Sequence, residues 1–218
     1  MKLLLTSAGL TNKSISSALL ELTGKPFPEL SLAFIPTAAN VESGDKDWLI
    51  DDLTNCQKLG FKSIDIVDIS ALPKDVWLPR LQKADIFLFE GGNVSHLMGW
   101  VIKSGLKELL PEMLKTKVYV GISAGSMIAC KSLDLAAADF LYSDEIGEYD
   151  KDDGLGYVDL LIRPHLNSSF FTKVNLNNLE KLAKENPATF YALDDNSAIK
   201  IIDGEMSVIS EGEWKKFN

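Results

Sequence analysis

The residues able to do chemistry in this chain gather around one serine. At 121–127 the sequence is GISAGSM, directly after the apolar run Val118-Tyr119-Val120. Gly121-Ile122-Ser123-Ala124-Gly125 has the form G-x-S-x-G, which places a serine on a sharp strand-to-helix turn with its hydroxyl exposed above a sheet. A serine hydroxyl is a weak nucleophile and needs an adjacent base, usually an oriented histidine. Only His96 and His165 are available. His96 falls inside the helical stretch Val94-Ser-His-Leu-Met, where it reads as a helix-surface or packing residue. His165, in Leu161-Ile-Arg-Pro-His-Leu-Asn, follows an expected strand, at the kind of strand end where parallel α/β sheets collect their ligand sites. Pro164 stiffens the approach. A hydrogen-bonded structural histidine is the plainer alternative, but beside a serine turn His165 is the expected general base.

The base needs an acid to hold its tautomer and to stabilise the imidazolium. The best candidate lies in Ala192-Leu-Asp-Asp-Asn-Ser197, where a short strand ends. Asp194 and Asp195 would point to opposite sides if the strand continues, so one serves and the other is solvated. Asp134 and Asp139, nearer the serine in sequence, are the alternatives. Acyl transfer also requires donors for the developing oxyanion. The backbone N–H of Ala124 comes with the turn itself. A second donor is expected from Phe87-Leu-Phe-Glu-Gly91-Gly92-Asn93, where a strand ends in paired glycines. Asn93 also suits a helix cap, and a capped helix start is itself a cluster of free N–H groups.

The elements that must carry these residues alternate in type. Lys2–Thr6, Leu32–Pro36, Ser63–Ile69, Asp85–Phe89 and Lys117–Ile122 read as short buried strands. Ser14–Leu22, Trp48–Leu59, Val94–Leu114 and Ser126–Ser132 have helical spacing, the third divided near Gly105 and Pro111. That order implies an α/β fold, a mostly parallel sheet with helices on both faces. After about residue 155 the pattern changes. Tyr157–Arg163 and Tyr191–Leu193 read as strands around a polar helix Leu176–Lys184, and Ala198–Ile202 and Met206–Ile209 flank a turn at Asp203-Gly204. The chain therefore ends in a small antiparallel extension, and residues 1–218 are expected to form one hydrolytic domain. The acidic stretch Gly147–Gly154 fails the EF-hand ligand spacing and reads as a solvated loop.

Composition excludes several function classes. Across 218 residues, 22 Lys plus Arg face 31 Asp plus Glu, a formal net charge of −9. Without a basic tract, nucleic acid and anionic membrane are not expected partners. The apolar runs fall short of a membrane span, and the opening Met1-Lys-Leu-Leu-Leu-Thr-Ser is too short and too soon polar for a signal peptide. Cys56 and Cys130 lack metal-ligand spacing and read as reduced thiols, so a cytoplasmic location is expected.

Taken together, these residues resemble the serine peptidases of the dipeptidase E type, peptidase family S51. Four signatures carry the resemblance in one order: Glu-Gly-Gly-Asn at 90–93, Gly-Ile-Ser-Ala-Gly at 121–125, Arg-Pro-His at 163–165, and Leu-Asp-Asp-Asn-Ser at 193–197. The opening Leu-Thr-Ser strand and Phe-Ile-Pro-Thr-Ala at 34–38 extend it over most of the chain. The resemblance implies a flavodoxin-like fold similar to the class I glutamine amidotransferases. It implies Ser123 as nucleophile, His165 as base, and Gly92 (with Gly91) and Ala124 as oxyanion donors. It implies a peptide substrate and no metal or organic cofactor. Well-known dipeptidases of this group carry Glu-Gly where this chain has Asp195-Asn196, so the resemblance implies Asp195 as a shorter acid; they also prefer an N-terminal aspartate, which calls for a cation. The only arginines are Arg80 and Arg163. Arg163, two residues before His165, would face the same way on an extended backbone and either binds a substrate carboxylate or pairs with a structural one. Two other readings stand beside this one. An esterase of another Ser-His-Asp class would use the order Ser, acid, His, with Asp139 as acid. A flavodoxin-like binding module with a relic elbow would do no chemistry.

Overall fold

The computed structural model describes residues 1–143 and 149–218. Strand β1 (Lys2–Thr6) leads through α1 (Lys13–Thr23) to β2 (Ser31–Ile35), and α2 (Thr37–Asn40) and α3 (Asp47–Leu59) lead to β3 (Ser63–Ile66). Then come α4 (Lys74–Lys83), β4 (Ile86–Phe89), α5 (Val94–Lys103), α6 (Leu106–Met113), β5 (Val118–Ile122), the short α7 (Ala124–Met127) and α8 (Leu135–Tyr142). The chain closes with β6 (Leu161–Arg163), α9 (Leu176–Glu185), β7 (Phe190–Leu193), β8 (Ser197–Ile202), β9 (Glu205–Ser210) and β10 (Trp214–Phe217).

The main sheet has the order β3-β2-β4-β5-β1-β8-β9. Its first five strands are parallel, whereas β8 and β9 are antiparallel to their neighbours. A second, three-stranded sheet has the order β10-β7-β6. The central strands are apolar throughout because both faces are covered. Leu3 and Leu5 of β1, Phe87 and Phe89 of β4 and Tyr119 of β5 pack into one core. Leu4, Ile86, Leu88, Val118 and Val120 pack into the other, beneath α1 and Cys56 of α3. At about 25 cal/mol per Å² of apolar surface removed from water, this two-sided burial is the main force holding the central strands in register.

Several boundaries differ from expectation for identifiable reasons. Gly105, with φ 75°, does separate α5 from α6, but Pro111 lies inside α6. The strand expected over Tyr157–Arg163 is confined to Leu161–Arg163, because the amides of Tyr157 and Val158 donate to Ala129 O. Helix α8 has a nearly uniform apolar sequence that masks its period, and its first amide, Leu135 N, donates 2.9 Å to Asp152 Oδ1. Asp152 belongs to the acidic stretch Gly147–Gly154, whose first two residues lie outside the described ones. Its later residues are tied to the body rather than loose: Gly154 N donates to Lys131 O, and a side chain at Gly154 would strike Cys130 O. The β8–β9 turn has positive φ at both Asp203 (50°) and Gly204 (92°), as a two-residue hairpin favours. Cys56 and Cys130 are buried, unpaired thiols. Among the described residues, no helix is long and apolar enough to cross a membrane.

Candidate active site

Three adjacent strands, β4, β5 and β1, end at the same edge of the sheet, and their loops build one side of the site; the segments after β6 and β7 bring His165 and Asp195 to it. The middle one turns at Ser123, whose φ of 45° and ψ of −106° are uncommon for a residue with a side chain. Both flanking glycines are required. A Cβ at Gly121 would lie 2.5 Å from Ser126 N, and one at Gly125 would lie 2.0 Å from Phe89 O. The turn is held from beneath. Ser126 Oγ donates to Thr6 O at 2.7 Å, the buried Tyr119 hydroxyl donates to Gly125 O at 2.6 Å, and Ser123 N donates back to Thr6 O. Strain of this kind costs on the order of 1–3 kcal/mol and persists only where the surroundings over-determine it.

His165 Nε2 lies 3.0 Å from Ser123 Oγ, and its Nδ1 lies 2.6 Å from Asp195 Oδ1. Burial alone would raise the Asp195 carboxyl. Hydrogen bonds from His165 and Ser7, with the nearby imidazole charge, outweigh burial and hold it below the usual carboxylate range. Asp195 is thus an acceptor, so Nδ1 carries a proton toward it, and in the neutral imidazole the Nε2 lone pair faces the serine hydroxyl. This is the geometry in which an imidazole can take the serine's proton.

His165 does not continue β6. Its φ is 65°, a left-handed conformation, and Leu166 N then donates to Leu193 O. The imidazole and Arg163 consequently do not share a face, contrary to the extended register expected from sequence. Arg163 is 2% exposed and forms an ion pair with Asp134, which also accepts from Asn186. It is therefore inaccessible to a substrate carboxylate.

Of the other acids, Asp194 is occupied within its own turn. It accepts from Asn196 N (3.0 Å), Ser197 Oγ (2.5 Å) and Glu213 N (2.6 Å). Asp139 is exposed on α8, and Asp134 is committed to Arg163. His96 sits on α5, its ring centroid 6.4 Å from that of Trp100.

The glycine pair after β4 divides in role. Gly91 N donates to the Glu90 side chain, Oε1, at 3.0 Å, so the sequence expectation that Gly91 supplies an oxyanion donor is not met. Gly92 N and Ala124 N donate to no other group among the described residues. Gly92, with φ 120°, could not be another residue, since a Cβ there would lie 2.4 Å from Ala38 O.

Three contributors were not identified from sequence. Ser7, at the end of β1, accepts the backbone N–H of His165 (2.8 Å) and donates to Asp195 Oδ1 (3.2 Å). Phe171 stacks on the imidazole with centroids 4.7 Å apart, and Tyr142 meets both rings edge-on. The Leu-Thr-Ser strand end hinted at Ser7; the Phe171 contact depends on a loop whose path has no sequence signature.

These side chains meet at the strand ends of an α/β fold with a doubly covered, mostly parallel sheet, in the chain order serine, histidine, acid. The chain belongs to peptidase family S51, whose family model matches residues 3–209. It is 26% identical over 183 residues to an uncharacterized peptidase of Pasteurella multocida, covering 82% of this chain and 84% of the relative. An uncharacterized peptidase of Listeria innocua is 27% identical over 178 residues, covering 81% and 82%. Among solved structures, a Listeria monocytogenes protein provisionally assigned as peptidase E superposes with a TM-score of 0.80 at 24% identity, over 97% of this chain and 98% of that one. A peptidase from an acI-B1 actinobacterium gives 0.70 at 19% identity, over 98% and 88%. These structural likenesses concern the fold.

Proposed function

We propose that this member of the peptidase family is a serine peptidase that hydrolyses short peptides, dipeptides foremost, through an acyl-enzyme on Ser123. The observation that carries the reading is the continuous chain Asp195–His165–Ser123, with both ring nitrogens engaged. His165 takes the Ser123 proton as Oγ attacks the scissile carbonyl. The amides of Gly92 and Ala124 receive the oxyanion, and Asp195 stabilises the imidazolium. His165 then protonates the leaving amine, and later activates the water that releases the acyl group.

A preference for N-terminal aspartate gains no support from Arg163, which is consumed by Asp134. The test is reaction with a fluorophosphonate probe, followed by a panel of Asp-X, Glu-X and neutral dipeptides. Labelling at Ser123 with dipeptide turnover supports the reading. No labelling favours a non-catalytic module, and labelling with turnover of esters alone favours an esterase.

A further inference from the structure

Beneath the loop that carries Gly91 and Gly92 lie two carboxyl groups that the reaction above does not consume. Glu90 has no solvent exposure, and Asp52, from α3, is 9% exposed. Glu90 Oε1 accepts Gly91 N–H, while Oε2 has no N–H or O–H donor within reach. Its neighbour is the Asp52 carboxyl. Two carboxyl groups can hydrogen-bond to each other only if one carries a proton, and a single proton between Glu90 and Asp52 would give Oε2 its partner. Burial raises both groups; the Asp52 charge raises Glu90 further, while the bond from Glu90 tempers the rise at Asp52.

The pair also touches the other wall of the site. A Cβ at Gly9 would lie 2.4 Å from Asp52 Oδ1, so the glycine allows the loop after β1 to lie directly on Asp52. That loop begins with Ser7, the partner of His165 and Asp195. On the opposite side, a Cβ at Gly91 would lie 3.3 Å from the Ser123 Cβ. The acid pair therefore sits between the loop that orients the base and the loop that borders the nucleophile.

We propose that Glu90 is a positioning residue for acyl transfer at Ser123: one carboxyl oxygen holds the Gly91 amide and the other is anchored by Asp52, which fixes the loop presenting the Gly92 amide. This inference rests on the serine-peptidase reading. Diverting the Gly91 amide to a buried side chain leaves a single loop N–H for the oxyanion and ties its peptide plane to α3. Oxyanion stabilisation depends on donors that need no reorganisation during the reaction. A two-glycine loop would otherwise lack that rigidity.

The experiment compares Glu90→Ala, Glu90→Gln and Asp52→Ala in the full chain. It measures kcat and KM on the best dipeptide, and amide exchange at Gly91 by NMR. Glu90→Ala is expected to lower kcat about 10²-fold with KM changed less than about threefold, the pattern of an interaction used in the transition state. Gly91 exchange should accelerate in parallel. Glu90→Gln retains an acceptor for Gly91 and gains a donor toward Asp52, so it should restore both readouts. Asp52→Ala should give an intermediate loss in both, which carries the test if Glu90→Ala does not fold. The proposal is overturned if Gln is as impaired as Ala, if the loss lies in KM, or if Asp52→Ala leaves kcat and Gly91 exchange unchanged. Ser123→Ala separates the two ideas: turnover surviving there removes the serine mechanism, while Gly91 exchange still reports on the clamp.

Discussion

Ser7 Oγ receives the backbone N–H of His165 at 2.8 Å, joining the end of the first strand to the residue placed 158 positions later. The same hydroxyl donates to Asp195, so one small side chain fixes both the base and its acid. Ser7→Ala is expected to leave a buried amide unpaired, at a cost of about 1–3 kcal/mol in stability. It should also lower kcat by about tenfold or more through a misoriented imidazole. Urea unfolding alongside steady-state kinetics checks both effects.

Asp195→Asn should reduce kcat by about 10⁴, because an amide can neither stabilise the imidazolium nor enforce the tautomer with hydrogen on Nδ1. Asp139→Asn, on the exposed face of α8, should be silent. Asp194→Asn should lower stability rather than act on chemistry, since it disturbs the turn bonds to Ser197 and Glu213. Comparison of kcat and Tm for the three variants ranks them.

Arg163→Ala breaks a buried ion pair and leaves Asp134 without its charge partner. A stability loss of about 3–5 kcal/mol is expected. The ratio of kcat/KM for Asp-X over neutral dipeptides should stay unchanged in whatever fraction folds. A selective loss of Asp-X turnover would show that the guanidinium reaches substrate.

The Asp52 carboxyl is pushed up to about 7 by burial, tempered by its bond with Glu90 and raised further by Asp51 and Asp195. Cys56, on the same helix, and Glu90, on the loop after β4, complete its titratable surroundings. Its ordinary value is 3.8, so between about pH 4 and 7 the folded state binds more protons here than the unfolded state. This group therefore favours folding most at the acid end, and that contribution is lost as pH rises to about 7. Asp52→Asn should gain stability relative to wild type across that window, most near its upper end. Thermal unfolding of both proteins at several pH values between about 4 and 8 checks the slope.

The parallel core was legible because Leu3–Leu5, Phe87–Phe89 and Val118–Val120 are apolar on both faces, which only a doubly covered sheet explains. Ser123 and His165 were legible because each stands beside a local constraint, flanking glycines in one case and a proline in the other. Asp195 was separable from Asp194 only by position in a motif; what decides between them is the left-handed turn at His165, which no spacing reveals. For Arg163 the same turn breaks the extended register across Pro164, and of the two readings, a substrate carboxylate or a structural one, the pairing with Asp134 is the second. The roles of Ser7, Glu90 and Asp52 arise from contacts between strand ends far apart in sequence, and burial of two acids beside each other runs against ordinary patterning.

Acyl transfer by the Ser123–His165 pair is measured most directly by turnover and active-site labelling of Ser123→Ala and His165→Ala beside wild type and His96→Ala. The serine lies on the surface of its turn, so its removal should leave the fold and Tm nearly unchanged. No probe incorporation is expected in Ser123→Ala, and both site variants should lose dipeptide hydrolysis by several orders of magnitude. His96→Ala should remain close to wild type. Near-normal hydrolysis by folded Ser123→Ala, or a larger loss at His96 than at His165, would contradict acyl transfer by this pair.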